Sequence, residues 1–196
     1  MKKVIIIVLV LIILFVSGIF LSLKNAKSYD FKNENMIINT KSGNKIETEY
    51  AYIDNNKFYF KVPTEFKELT YEEILNKYDN NYPNVVYSND DLTINIAVNL
   101  TNSKMKNTQI ENYANYIYKR LKDSNEIISN EIYKIQKYDV GKIEFISNAN
   151  DTKIYNNMIF FSYNDKLVII TFNSILELKD EWESVGNFVL ESLIFS

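Results

Sequence analysis

The chain has 196 residues, 22 Lys and Arg against 25 Asp and Glu, a net charge of −3, no cysteine and no histidine. Without Cys there are no disulfides, thiol nucleophiles, thiolate metal sites or lipoprotein anchor, and without His the commonest general base and metal ligand are missing. The mild acidity and interspersed signs give nucleic acid and anionic lipid nothing to hold.

Val4 to Leu23 is uncharged and strongly apolar, VIIIVLVLIILFVSGIFLSL. At ~1.5 Å per helical residue it matches a bilayer core of ~30 Å, so it is read as one transmembrane helix over residues 1–23. A cleaved signal peptide shares the Lys2-Lys3 start, but its apolar region runs only about 7–15 residues. The best cut, after Ala26, also places Lys24 where a small residue belongs. Cleavage would give a secreted form. Lys2 and Lys3 are balanced by Lys24, Lys27 and Lys32, so the outside placement of the domain rests on the order of segments, not on charge. Residues 24–35 are polar and aperiodic, a tether reaching at most ~40 Å.

The folded part is expected over 36–196. Met36 to Thr40 and Lys45 to Asp54 are strand-like about a Ser42-Gly43 turn. In Lys57 to Val62, Phe58, Phe60 and Val62 alternate with Lys57, Tyr59 and Lys61, the pattern of a half-buried strand that Pro63 ends. Thr70-Tyr71-Glu72-Glu73 is a capping box opening a helix to about Tyr78. Val85 to Tyr87 and Leu92 to Leu100 form a hairpin around Asn89-Asp90-Asp91, with Leu92, Ile94, Ile96, Val98 and Leu100 on one face.

Thr108 to Lys122 reads as an amphipathic helix with a second capping box at Thr108 and Glu111. Strands follow at Ile127 to Lys137, Gly141 to Ser147, Lys153 to Tyr163 and Lys166 to Phe172. Met158 to Phe161 and Leu167 to Ile170 are apolar on successive residues, as in strands buried on both faces. A last helix, Leu176 to Glu191, points Leu178, Trp182, Val185 and Val189 inward, and Leu193-Ile194-Phe195 is placed as an edge strand. The sum is an α+β fold, a mostly antiparallel sheet flanked by helices.

The order of landmarks resembles the PsbP-like and DcrB-like superfamily, which includes the photosystem II extrinsic subunit and the yeast Ran-binding import factor. The signs lie in residues 57–196: Phe58 to Pro63, the Thr108 to Lys122 helix, Gly141, the meander Tyr155 to Phe172, and Glu191 to Phe195. The resemblance implies an α/β/α sandwich and binding or accessory roles. It transfers no functional residue.

Candidate chemistry is sparse. Asp90 and Asp91 with Asp54 or Asp151 suggest calcium, but Asp in hairpin turns serves its own backbone. Glu72, Glu73, Glu181 and Glu183 fall on predicted helix surfaces, where solvated charge explains them better than a glycosidase pair. No Gly-rich phosphate loop or Gly-rich elbow occurs, so nucleotide is not expected. Tyr50, Tyr52, Tyr59 and Tyr87 would suit a groove for peptide or polysaccharide, against the simpler reading as ordinary strand tyrosines. The Asn-x-Thr sequons at Asn99 and Asn150 are read as coincidence of an Asn-rich chain. The leading expectation is therefore a noncatalytic, membrane-anchored extracytoplasmic module of a bacterial envelope with a protein partner, no cofactor and no metal. A carboxylate-using envelope hydrolase and a small-ligand or metal-sensing domain are the alternatives.

Overall fold

The computed structural model describes residues 36–55, 57–78, 82–149 and 152–196. The expected anchor at Val4–Leu23, the tether, Asn150 and Asp151 lie outside them. Among the described residues no helix is long and apolar enough to cross a membrane.

Among the described residues, eleven strands form two antiparallel sheets. β1 (Met36–Asn39), β2 (Lys45–Ile53), β3 (Phe58–Pro63) and β11 (Ile194–Phe195) make a small sheet in the order β1-β2-β3-β11. β4 (Lys67–Glu68), β5 (Val85–Ser88), β6 (Ile94–Lys104), β7 (Glu126–Ile135), β8 (Tyr138–Asn148), β9 (Lys153–Tyr163) and β10 (Lys166–Ile175) make the large one, β4-β5-β6-β10-β9-β8-β7. The α-helices among the described residues are α1 (Tyr71–Lys77), α2 (Ile110–Leu121) and α3 (Lys179–Glu191). The composition of elements is that of the expected α+β fold, but the one sheet foreseen is two.

Local chemistry explains most boundaries. At α1, the Thr70 side chain accepts from the Glu73 N–H while the Glu73 carboxylate accepts from the Thr70 N–H at 2.7 Å, the capping box the sequence predicts. The β9–β10 hairpin turns on Asn164 and Asp165, with φ of 51° and 57°, the left-handed pair whose twist suits a two-residue connection. The second capping box does not form. Asn107 instead holds Asp139 through both its side-chain groups, at 2.6 and 2.8 Å, and its 3-10 turn Asn107–Gln109 displaces the start of α2 to Ile110.

The two faces of the large sheet carry different cover. On one, Ile110 and Ala114 of α2 pack on Ile143, Phe160 and Leu167, while Leu69 and Ile74 of the α1 region pack on Val86 and Ala97. Gly141 is required here: a Cβ would come within 2.2 Å of the Phe160 ring. On the other face, β6, β9 and β10 present Ile96, Val98, Ile159, Phe161, Ile170 and Phe172 to both the small sheet and α3. Ala51, Ile53, Phe58, Phe60 and Val62 are the small sheet's contribution, Val185, Val189 and Leu190 that of α3. Each fully buried large side chain contributes roughly 1.5–3 kcal/mol relative to exposure. Phe195 of β11 closes one end, its ring centroid 4.1 Å from Tyr138, 5.1 Å from Phe161 and 5.7 Å from Tyr163.

One residue keeps its expected face but not its expected exposure. Lys61 lies opposite Tyr50, on the Tyr59 side of β3, yet is only 2% exposed, with its ammonium 3.9 Å from the centre of the Tyr50 ring. A lysine stem buries well when its charge meets an aromatic face.

Candidate functional site

α3 lies over the large sheet with Val185, Val189 and Leu190 inward, and its remaining turns carry Asp180, Glu181, Glu183, Ser184 and Asn187. At its first turn, the Glu181 carboxylate accepts from the Ser42 N–H at 3.0 Å and from the hydroxyls of Thr40 and Ser42. Lys41 pairs with Asp180 at 2.9 Å. These contacts hold both carboxyls below the ordinary range, chiefly through the Ser42 hydroxyl for Glu181 and Lys41 for Asp180. The pair fastens the β1–β2 turn to the helix. Glu181 is thus a clamp, not the free solvated charge its sequence position suggests.

Further along, a polar network is set into the apolar face. Lys142 and Glu144 stand on β8 on the same side as Val140, and Tyr155 and Asn157 on β9 on the same side as Ile159, by alternation. Lys142 Nζ lies 2.8 Å from Glu144 Oε1, with the two side chains 12% and 8% exposed. Tyr155 Oη donates to Glu144 Oε2 at 2.7 Å and Ser129 Oγ to Oε1 at 3.2 Å. From α3, Asn187 Oδ1 accepts from Lys142 Nζ at 2.7 Å and from Asn157 Nδ2 at 2.9 Å. Lys179 pairs with Glu183 at 2.8 Å and sits 5.1 Å from the centre of the Tyr155 ring.

Burial alone would push the Glu144 carboxyl up, but Lys142, Tyr155 and Ser129 together outweigh it and hold the acid ionised. Burial, reinforced by the bond to Glu144, raises the Tyr155 phenol far beyond its usual range. Three donors thus meet the carboxylate, and two acceptors, Glu144 and Asn187, meet the ammonium. What the arrangement offers is a fixed pattern of donors and acceptors between a helix and a sheet.

Two concavities open along this seam. One of about 300 Å³ is lined by Glu131, Tyr133, Lys142 and Glu191 among others. The other, shallower and about 520 Å³, runs past Thr40, Lys41, Asp180, Glu183, Ser184 and Asn187. Tyr133 Oη is buried at the first without a protein partner, and burial with the nearby Glu191 and Glu131 charges raises its phenol well above normal.

The residues singled out in the sequence are mostly elsewhere. Tyr50, Tyr52 and Tyr59 do meet, with ring centroids 5.2 to 6.2 Å apart, while Tyr87 lies apart and donates to Glu68 at 3.1 Å. Asp54 pairs with Lys57 at 2.7 Å in the β2–β3 turn, and Asp90 and Asp91 are exposed in the β5–β6 turn. Among the described residues no three acidic, His or Cys groups gather as for a metal ion. Glu73 is occupied with its cap, and Trp182 packs on Phe66 at 5.7 Å between centroids as part of the core. Lys142, Glu144, Tyr155, Asn157 and Asn187 were not singled out in the sequence.

No protein-family model matches the chain, and no curated protein sequence matches it. Its backbone does match solved structures. Cyanobacterial PsbP from Synechocystis sp. PCC 6803 aligns with a TM-score of 0.56 and 13% identity over 76% of this chain and 92% of the other. The fold is PsbP-like. LpqN of Mycobacterium tuberculosis, described as involved in cell envelope biogenesis, aligns at TM-score 0.53 and 10% identity over 78% and 92%. The Ran-binding protein Mog1p of Saccharomyces cerevisiae aligns at 0.43 and 11% over 76% and 96%. Within this fold, the buried ion pair of Lys142 and Glu144 lies under α3.

Proposed function

We propose that this chain is a noncatalytic binding or accessory module of a bacterial envelope, held in the membrane by a helix over Val4–Leu23 with residues 36–196 outside, and that it docks a protein partner along the seam of α3. The observation that carries the noncatalytic reading is the saturation of the Glu144 carboxylate by Lys142, Tyr155 and Ser129. An acid so matched recognises and positions. It does not exchange protons at neutral pH. The uncharged N-terminal run supports the membrane placement, and the PsbP-like fold, shared with a mycobacterial protein described as involved in cell envelope biogenesis, supports the setting.

Two experiments test it. Protease added to intact cells is expected to remove the domain, leaving an anchor fragment; a protected domain would refute the outside placement. Crosslinking of the full chain in its membrane is expected to capture a specific protein, with capture lost when Asn187 is replaced by Lys and the fold is unchanged by circular dichroism. An enzymatic turnover abolished by Glu144→Gln or Glu131→Gln would refute the noncatalytic reading.

A further inference from the structure

β7 is an edge of the large sheet: it pairs with β8 on one side, and no described strand lies on its other side. Ten residues of edge strand offer a row of N–H and C=O groups to another chain. Its exposed side chains are not random. Ile128 and Ile132 are 43% and 44% exposed, and Asn130 between them is also exposed. Ile132 stands opposite Gly141, whose Cβ position faces Phe160, so it lies on the α2 side of the sheet. The ladder shifts between Ile127 and Ser129, which leaves Ile128 as the extra residue of a bulge, in step with Asn130 and Ile132.

The motif Ile-x-Asn-x-Ile on that face reads the same from either end. A strand with this pattern matches itself when turned antiparallel. Charge selects the same orientation. Asp123 and Glu126 precede the motif and Lys134 and Lys137 follow it, all exposed. Antiparallel pairing brings each acidic end to a basic end, whereas parallel pairing would set acid beside acid. Glu131, on the other face, falls across from Ser129 of the second copy and not from its own counterpart.

We propose that β7 pairs with β7 of a second copy of this chain, antiparallel about a two-fold axis at Asn130, so that Ile128 of each copy lies against Ile132 of the other. The contact is isologous and closes on itself, joining two seven-stranded sheets into one. It removes both exposed isoleucines from water and satisfies the open edge. It leaves α3 itself uncovered, because α3 lies on the opposite face, while Ser129, Glu131 and Tyr133 of β7 also border the seam. The inference rests on the open strand edge and not on the membrane placement or the partner of the proposed function.

The chain contains no cysteine, so an introduced one is its sole thiol. Residues facing each other across an antiparallel pair have Cα atoms about 4.5–5.5 Å apart, within the range of about 4.4–6.8 Å that a disulfide spans. Full-length chain carrying Asn130→Cys is oxidised in detergent beside a reference carrying Glu65→Cys, an exposed position on a distant loop. N130C is expected to form a disulfide-linked dimer at least tenfold faster than E65C. Adding Ile132→Lys should bring that rate down to the reference, with circular dichroism unchanged. Mixed I128C and I132C chains should link to each other in preference to themselves. Equal rates for N130C and E65C, or a rate unaffected by Ile132→Lys, would overturn the proposal. Preferential self-linking of I132C would overturn the register and hence the axis.

Discussion

One face of the seven-stranded sheet is covered by helices chiefly through apolar contacts, with neutral side-chain hydrogen bonds such as Ser88 to Asn95 beside them; the other mixes a tight apolar core with a charged network. Under α2, Ile110 and Ala114 meet Ile143, Phe160 and Leu167, and shape is everything: even a methyl at Gly141 has no room. Under α3, Lys142, Glu144, Tyr155, Asn157 and Asn187 interrupt the same kind of packing. A buried ion pair adds little net stability over an apolar substitute of equal volume, because desolvation offsets the Coulomb gain. Its presence on one face only therefore points to recognition or positional specificity there, and marks the α2 face as scaffold.

The contrast can be broken by substitution. The largest effect is expected from Glu144→Ala, which leaves Lys142 buried without its carboxylate: a loss of about 3–5 kcal/mol in urea unfolding, most of it recovered in Lys142→Met/Glu144→Leu. If the single change were neutral, the network would be surface decoration. On the other face, Gly141→Ala should cost about 1–3 kcal/mol through overpacking against Phe160, and Phe160→Leu should relieve part of that cost in the double variant.

A smaller effect separates the faces by pH. The Glu144 carboxyl sits below its ordinary 4.5 in the folded state, so its contribution is fully present above that value and is lost as pH falls through the depressed folded pKa. Melting temperature should fall on acidification below about pH 5, and more gently in Glu144→Gln; the Gly141→Ala variant should keep the wild-type slope. Smallest of all, Tyr52→Ala on the exposed side of the small sheet should change stability by less than about 0.5 kcal/mol in the same unfolding measurement.

What could be read from the sequence was what depends on near neighbours. The α1 cap needs only Thr70 and Glu73, the β9–β10 turn only Asn164 and Asp165, and the inward stripe of α3 repeats within three turns. The cap expected at Thr108 failed because a residue 32 positions away, Asp139, engages Asn107. The division into two sheets was hidden for a like reason, since nothing local says that Ile194 pairs with Tyr59. The seam is not legible in the sequence because Lys142 and Glu144 alternate with Gly141 and Ile143 as an exposed face would. One signal was available: the apolar run Met158 to Phe161 places β9 in the interior, so charged residues on the strand beside it need partners.

The pairing of β11 with β3 bears on how the molecule is made. A chain synthesised from its N-terminus produces Ala51, Ile53, Phe58, Phe60 and Val62 long before Leu193 and Phe195, yet these belong to one cluster. Such distant contacts are slow to form and leave apolar strands unsatisfied while they are awaited. A product cut short before Leu193 leaves the Phe58 edge without its partner strand and without the Phe195 ring. The edge of the small sheet thus stays open to other chains until Leu193 to Phe195 are in place.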